Sequence, residues 1–99
     1  MKESKFQKKV IDRIKNVFYG CIVLKNDPNY IQGIPDLIVL YRNKWAALEI
    51  KESKFAKHRP NQDYYINRLK EMGGFAEFVY PENFDFIFSE LADYFQMGV

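Results

Sequence analysis

Apolar residues along this 99-residue chain fall into successive runs whose spacing alternates between helical and extended. Between residues 3 and 18, Phe6, Val10, Ile11, Ile14, Val17 and Phe18 share one arc at ~100° per residue. Lys5, Lys8, Lys9, Asp12, Arg13 and Lys15 lie outside that arc or on its edge, so the segment reads as an amphipathic helix ended by Gly20. Cys21–Leu24 is a short apolar run and reads as a buried strand, followed by a loop-forming stretch, Lys25–Asn29. Leu37–Tyr41 is apolar on both faces, as in a central strand covered from two sides. A polar break at Arg42-Asn43-Lys44 turns the chain into a second run, Trp45 to Lys51, in which the small Ala46 and Ala47 leave room for a helix or for DNA. Residues 60–72 have a second helical pattern, with Tyr65, Ile66, Leu69 and Met72 on its arc and Pro60 at an early position that tolerates it. Gly73-Gly74 stops that helix. Phe75–Tyr80 alternates as a strand, Pro81 closes it, and Asn83 is a candidate cap. Phe84, Ile87, Phe88, Leu91, Tyr94 and Phe95 form a last helical stripe, read as core cover whose aromatic excess also suits a dimer interface. The order is α-β-β-β-α-β-α in one domain, residues 1–99, of the α/β class.

Several polar residues sit where this pattern expects apolar ones. Side chains alternate along a strand, so Glu49 and Lys51 share a face and Ile50 points the other way. Gly33-Ile34-Pro35 delivers Asp36 to the start of the preceding strand, and adjacent strands bring Asp36 and Glu49 to one region. Glycine there lets the backbone pass close to another group, and proline fixes the approach. Burying such charges is costly unless they are paired or bind metal. Two carboxylates, the Ile50 carbonyl and a lysine make a hard, oxygen-rich site suited to Mg²⁺. A buried salt-bridge cluster of Asp36, Glu49 and Lys51 is the alternative. Glu3 and Gln7 lie inside the apolar arc of the first helix, one turn apart. Glu3 is either a favourable first-turn acid or a site residue. Gln62 falls in the middle of the second helix's arc, where a buried amide needs partners and a helix-start residue needs none.

The motif Gly33-Ile34-Pro35-Asp36-Leu37, followed by Glu49-Ile50-Lys51 and a helix carrying Gln62, resembles the VRR-NUC (virus-type replication-repair nuclease) branch of the PD-(D/E)xK nucleases. The resemblance runs from about Glu3 to the last helix and implies a restriction-endonuclease-like core with a central mixed sheet flanked by helices. It implies that Asp36 and Glu49 hold Mg²⁺ or Mn²⁺, with the Ile50 carbonyl as a further ligand and Glu3 pointing at the metal. Lys51 would then orient water or offset phosphate charge, Gln62 would face the active site, and Gln7 would contact the nucleic acid. A small phage-type form of the family implies a homodimer acting on branched DNA, including four-way (Holliday) junctions.

Composition narrows the context. No run of about 18 apolar residues exists to span a membrane, and Met1 leads into a charged helix, so an intracellular, cytoplasmic protein is expected. Cys21 is the only cysteine, which excludes an internal disulfide and leaves a small apolar core residue as its expected role. Residues 1–70 hold all 15 basic residues and seven acids, a net +8, whereas residues 71–99 hold six acids and no base, a net −6. Such asymmetry suits a polyanion partner on one side, although solvated helix faces produce it as well. Lys54, Lys57, His58 and Arg59 cluster in the loop after the presumed site, where phosphate contacts would position nucleic acid without reading its sequence. His58 is assigned no general-base role. Tyr30 and Gln32 are expected as a packed tyrosine and a solvated glutamine near the site. The leading reading is a metal-dependent, structure-selective DNA endonuclease. The alternatives are a non-catalytic nucleic-acid-binding module on a nuclease fold and a restriction-type, sequence-specific nuclease.

Overall fold

The computed structural model describes residues 2–96. Its elements are α1 (Glu3–Val17), β1 (Ile22–Lys25), β2 (Leu37–Tyr41), β3 (Lys44–Ile50), α2 (Gln62–Glu71), β4 (Phe75–Val79) and α3 (Phe84–Gln96). This is the α-β-β-β-α-β-α order that the hydrophobic pattern predicts. The strands form one mixed sheet in the order β1-β2-β3-β4. β1/β2 and β2/β3 are antiparallel, while β3 and β4 are parallel and joined through α2. A parallel pair needs such a crossover, whereas the β2/β3 hairpin needs only the Arg42-Asn43 turn.

Three layers follow from the period-2 alternation in the strands. Leu37, Val39, Ala46, Leu48, Ile50 and Val79 face α1 and α3, which contribute Phe6, Val10 and Ile14, then Ile87, Phe88, Leu91 and Phe95. Phe18, just past α1, is the hub of this layer, with its ring 5.0 Å from Phe95, 5.4 Å from Tyr41 and 5.5 Å from Phe88. The opposite face carries a smaller cluster, in which Ile66 of α2 packs on Ala47 and Ala76 beside Leu69, Ile38, Trp45 and Phe78. The small residue at Ala47 therefore admits a helix, and the space is filled by protein.

α2 covers only the β3–β4 half of its face, which changes two expectations. β1 is an edge strand and not a buried one, with Ile22 and Leu24 55% and 46% exposed. β2 is covered fully on one face only, because Leu40 on the other stands partly in the open. Val17 and Met72, at the ends of helical arcs, are exposed beyond the reach of any covering element. Tyr30 is also exposed and is not packed. The second helix begins at Gln62, two residues after Pro60, because Asn61 takes the left-handed conformation with φ +70°. Asn83 uses its side chain on the preceding strand: its Oδ1 accepts from Tyr80 N–H at 2.9 Å and its Nδ2 donates to Phe78 C=O at 3.1 Å. Among the described residues no helix is long and apolar enough to cross a membrane.

The hub role of Phe18 sets a stability expectation. Phe18→Ala should cost about 3–5 kcal/mol, as for other buried aromatic truncations, read as a fall in the urea midpoint. An effect below about 1 kcal/mol would mean that the layer repacks around the cavity.

Candidate active site

The β2/β3 register builds the site. Leu37 stands opposite Leu48, so one step further along the same register brings Asp36 opposite Glu49. Both lie two residues from the Ile38/Ala47 pair and hence on the α2 face of the sheet. Asp36 is gripped from both sides. Its carbonyl accepts from Asn26 N–H at 2.8 Å, while its Oδ2 accepts from Ile50 N–H at 2.8 Å. The Asp36 carboxylate thus takes over where the backbone ladder of β2 has ended. A strand residue's N–H and C=O point to the same side, so the Ile50 carbonyl lies on the β2 side of β3, as its N–H does. On the other side of β3, Lys51 N–H continues the parallel ladder by donating to Val79 C=O at 2.8 Å.

Glu49 and Lys51 are each only 4% exposed, and Gln62 is 7% exposed. The Gln62 amide is satisfied at both ends: Nε2 donates to Glu49 Oε2 at 3.0 Å and Oε1 accepts from Arg59 N–H at 2.8 Å. It therefore ties the basic loop to the carboxylate. The Lys51 ammonium donates to the Lys57 carbonyl at 3.0 Å. Among the described residues, the ion pairs within 4.0 Å do not include Lys51 with any carboxylate. A contact salt-bridge cluster of Asp36, Glu49 and Lys51 is therefore not what these residues form.

What remains is a pair of like charges with one unsatisfied atom. Glu49 Oε1 is buried and has no hydrogen-bond partner. Burial raises the Glu49 pKa to about 8, aided by the charge of the nearby Asp36, against a lowering by Lys51. Two carboxyls close enough to share a proton demand something positive between them. Glu3 is exposed, but partial burial and then Asp36 raise its pKa, while Lys51 and Arg59 lower it, so it feels the same site from the start of α1. Among the described residues no three His, Cys, Asp or Glu side chains converge as a ready-made metal cage, so Glu3 flanks the Asp36/Glu49 pair without completing one.

These residues line a hollow of about 390 Å³, bounded by Glu3, Asp36, Glu49, Lys51, Arg59 and Gln62 and closed on the far side by the loop carrying Gln32 and Gly33. Gly33 has φ +91°, and a Cβ there would lie 2.6 Å from Asn61 Cβ and 2.8 Å from Pro60 C=O. The loop can therefore reach the start of α2 only with glycine at this position. A larger hollow of about 850 Å³ adjoins it, lined in part by Lys57, His58, Arg59 and Tyr64. Of the basic-loop candidates, Lys57, His58 and Arg59 line this second hollow and Lys54 does not. His58 is braced, with its ring stacked on Phe78 at 4.0 Å and Nδ1 lying 3.0 Å from Asp63 Oδ1. Gln7 is half-buried and lines neither hollow.

Three participants lie outside the sequence reading. Asn26 holds Pro35 C=O through Nδ2 at 2.7 Å, Asn61 supplies the left-handed turn against Gly33, and the Lys57 carbonyl anchors Lys51. Asn61 carries a usable signal, since asparagine visits that conformation more readily than most residues. The other two are made by tertiary approach and leave no local trace. Comparison with protein-family models and with curated proteins finds no match for the chain.

The raised Glu49 pKa has a signed consequence in metal-free buffer. Between the ordinary value of 4.5 and about 8 the folded protein keeps a proton that the unfolded chain releases. Stability contributed by this group therefore falls as pH rises through that window, by at most about 1.4 kcal/mol per pH unit for one proton. In EDTA the urea midpoint of Glu49→Gln should depend less steeply on pH between 5 and 8 than that of wild type. Parallel curves for the two proteins would contradict the raised pKa.

Proposed function

We propose that this chain is a divalent-metal-dependent DNA endonuclease of the VRR-NUC type, structure-selective and acting as a homodimer on branched DNA. The observation that carries the reading is the buried, unpartnered Oε1 of Glu49, a carboxyl that stands opposite Asp36 at the end of the β2/β3 ladder and feels its charge. A salt-bridge cluster would leave no orphan oxygen, whereas a cation would satisfy it. Asp36, Glu49 and the Ile50 carbonyl fit Mg²⁺ or Mn²⁺, because Mg²⁺ keeps several waters and needs only one or two protein carboxylates besides substrate phosphate. Such an ion, when bound, makes coordinated water more acidic and polarises a phosphoryl oxygen.

The protein's own groups have separable duties in this reading. Lys51 is held by the Lys57 carbonyl and stands ready to offset charge that grows on the phosphate. Gln62 fixes the Glu49 carboxylate through Oε2 and leaves Oε1 without a protein partner. Arg59 lines both hollows and, with Lys57 beside it, gives the incoming strand cationic contacts. A domain of this size offers little surface for base-by-base readout, and two copies about a two-fold axis suit a symmetric junction.

Purified protein incubated in Mg²⁺ with labelled four-way, flap and linear duplex DNA should cut the branched substrates preferentially. Asp36→Asn and Glu49→Ala should each reduce cleavage on the order of a hundredfold or more, while salt-sensitive binding persists. Equal cutting of all three substrates would remove the structural selectivity, and undiminished cutting by Asp36→Asn would remove the assigned site.

A further inference from the structure

The larger hollow adjoins the carboxylates, but neither Asp36 nor Glu49 lines it. At about 850 Å³ it falls within the ~300–1,000 Å³ typical of sites that enclose a small organic group. It shares Glu3, Lys51, Arg59 and Pro60 with the smaller hollow, so a strand lying across the carboxylates passes its mouth. Two flat side chains line it. Tyr64, in the first turn of α2, is 59% exposed. His58 has one ring face already committed to Phe78 and its Nδ1 beside Asp63, so it is held rigid. Glu52 and Asp63 line the same space as Lys57 and Arg59.

This lining is wrong for a run of phosphates, which would meet the Glu52 and Asp63 carboxylates, but it suits a nucleobase. Aromatic faces stack on any base, carboxylates accept from ring N–H and amino groups, and the two cations can reach the flanking backbone. A base inside an intact duplex cannot enter, because it would have to leave its stack first. We propose that this hollow is a subsite for one unpaired base of the DNA strand, beside the phosphate to be cut and stacked on Tyr64. Resting on the nuclease reading for the path of the strand, this narrows the substrate class to DNA with an unpaired nucleotide next to the cut, as at flaps and imperfectly paired branch points.

The test is binding of a flap substrate by fluorescence anisotropy in Ca²⁺, with each nucleotide around the branch replaced in turn by an abasic residue. Loss of one particular base should weaken binding roughly tenfold. Tyr64→Ala should weaken binding to the intact flap by a similar factor and cause no further loss on that abasic substrate, whereas Tyr64→Phe should bind like wild type. Equal binding of every abasic substrate, or a Tyr64→Ala loss that is the same with and without the base, overturns the subsite. Cleavage by wild type in Mg²⁺, run in parallel, separates the two ideas. Base-dependent binding without any cutting sinks the nuclease reading and keeps the subsite. Cutting without base dependence sinks the subsite alone.

Discussion

Repulsion between two carboxyl groups is the constraint around which this structure is arranged. The register of β2 on β3 places Asp36 opposite Glu49, and neither can turn away freely. Asp36 is held through its own carbonyl and through the Ile50 N–H, and Glu49 through the Gln62 amide. Burial weakens the screening that would make such proximity cheap. In the folded chain a proton held by Glu49 up to about pH 8 relieves this repulsion, and a bound cation could relieve it in the proton's place.

The rest of the fold maintains that arrangement. The β3–α2–β4 crossover puts the first residue of α2 against the end of β3, which is how Gln62 reaches Glu49. The loop before β2 is threaded against the same helix start, through the close approach of Gly33 to Pro60 and Asn61. Lys51 is held by a carbonyl of the loop that also supplies Arg59. The site is thus built from three connections that meet at one end of the sheet, and the thick α1/α3 layer on the opposite face fixes where that end lies.

Much of this was legible along the chain because it depends on local periodicity. The three helices, the four strands and their order follow from spacing, with Gly20, Gly73 and Pro81 as stops. The polar residues that interrupt apolar arcs, Glu49, Lys51 and Gln62, are those that the structure buries near one another. Misread features share a cause: exposure depends on which half of a sheet face a helix happens to cover. Ile22, Leu24 and Leu40 look as apolar as any core residue, yet α2 stops short of them, while Cys21 and Val23 on the other face pack against the core. The bond from Lys51 to the Lys57 carbonyl and the grip of Asn26 on Pro35 were illegible for a different reason, since backbone carbonyls and loop amides carry no pattern. Gln7 shows the converse: helical spacing placed it with Glu3, but its position one turn on leaves it outside both hollows.

The uncovered margin of the sheet has its own consequence. Among the described residues no strand pairs with the outer side of β1, on which Ile22 and Leu24 are exposed, and such a border is the kind on which another extended chain could template itself into a growing fibre. Its brevity works against that outcome. The strand is four residues long and ends in Lys25, so an added chain would gain few ladder bonds before meeting a charge. Length and a terminal cation thus guard a border that no covering helix protects.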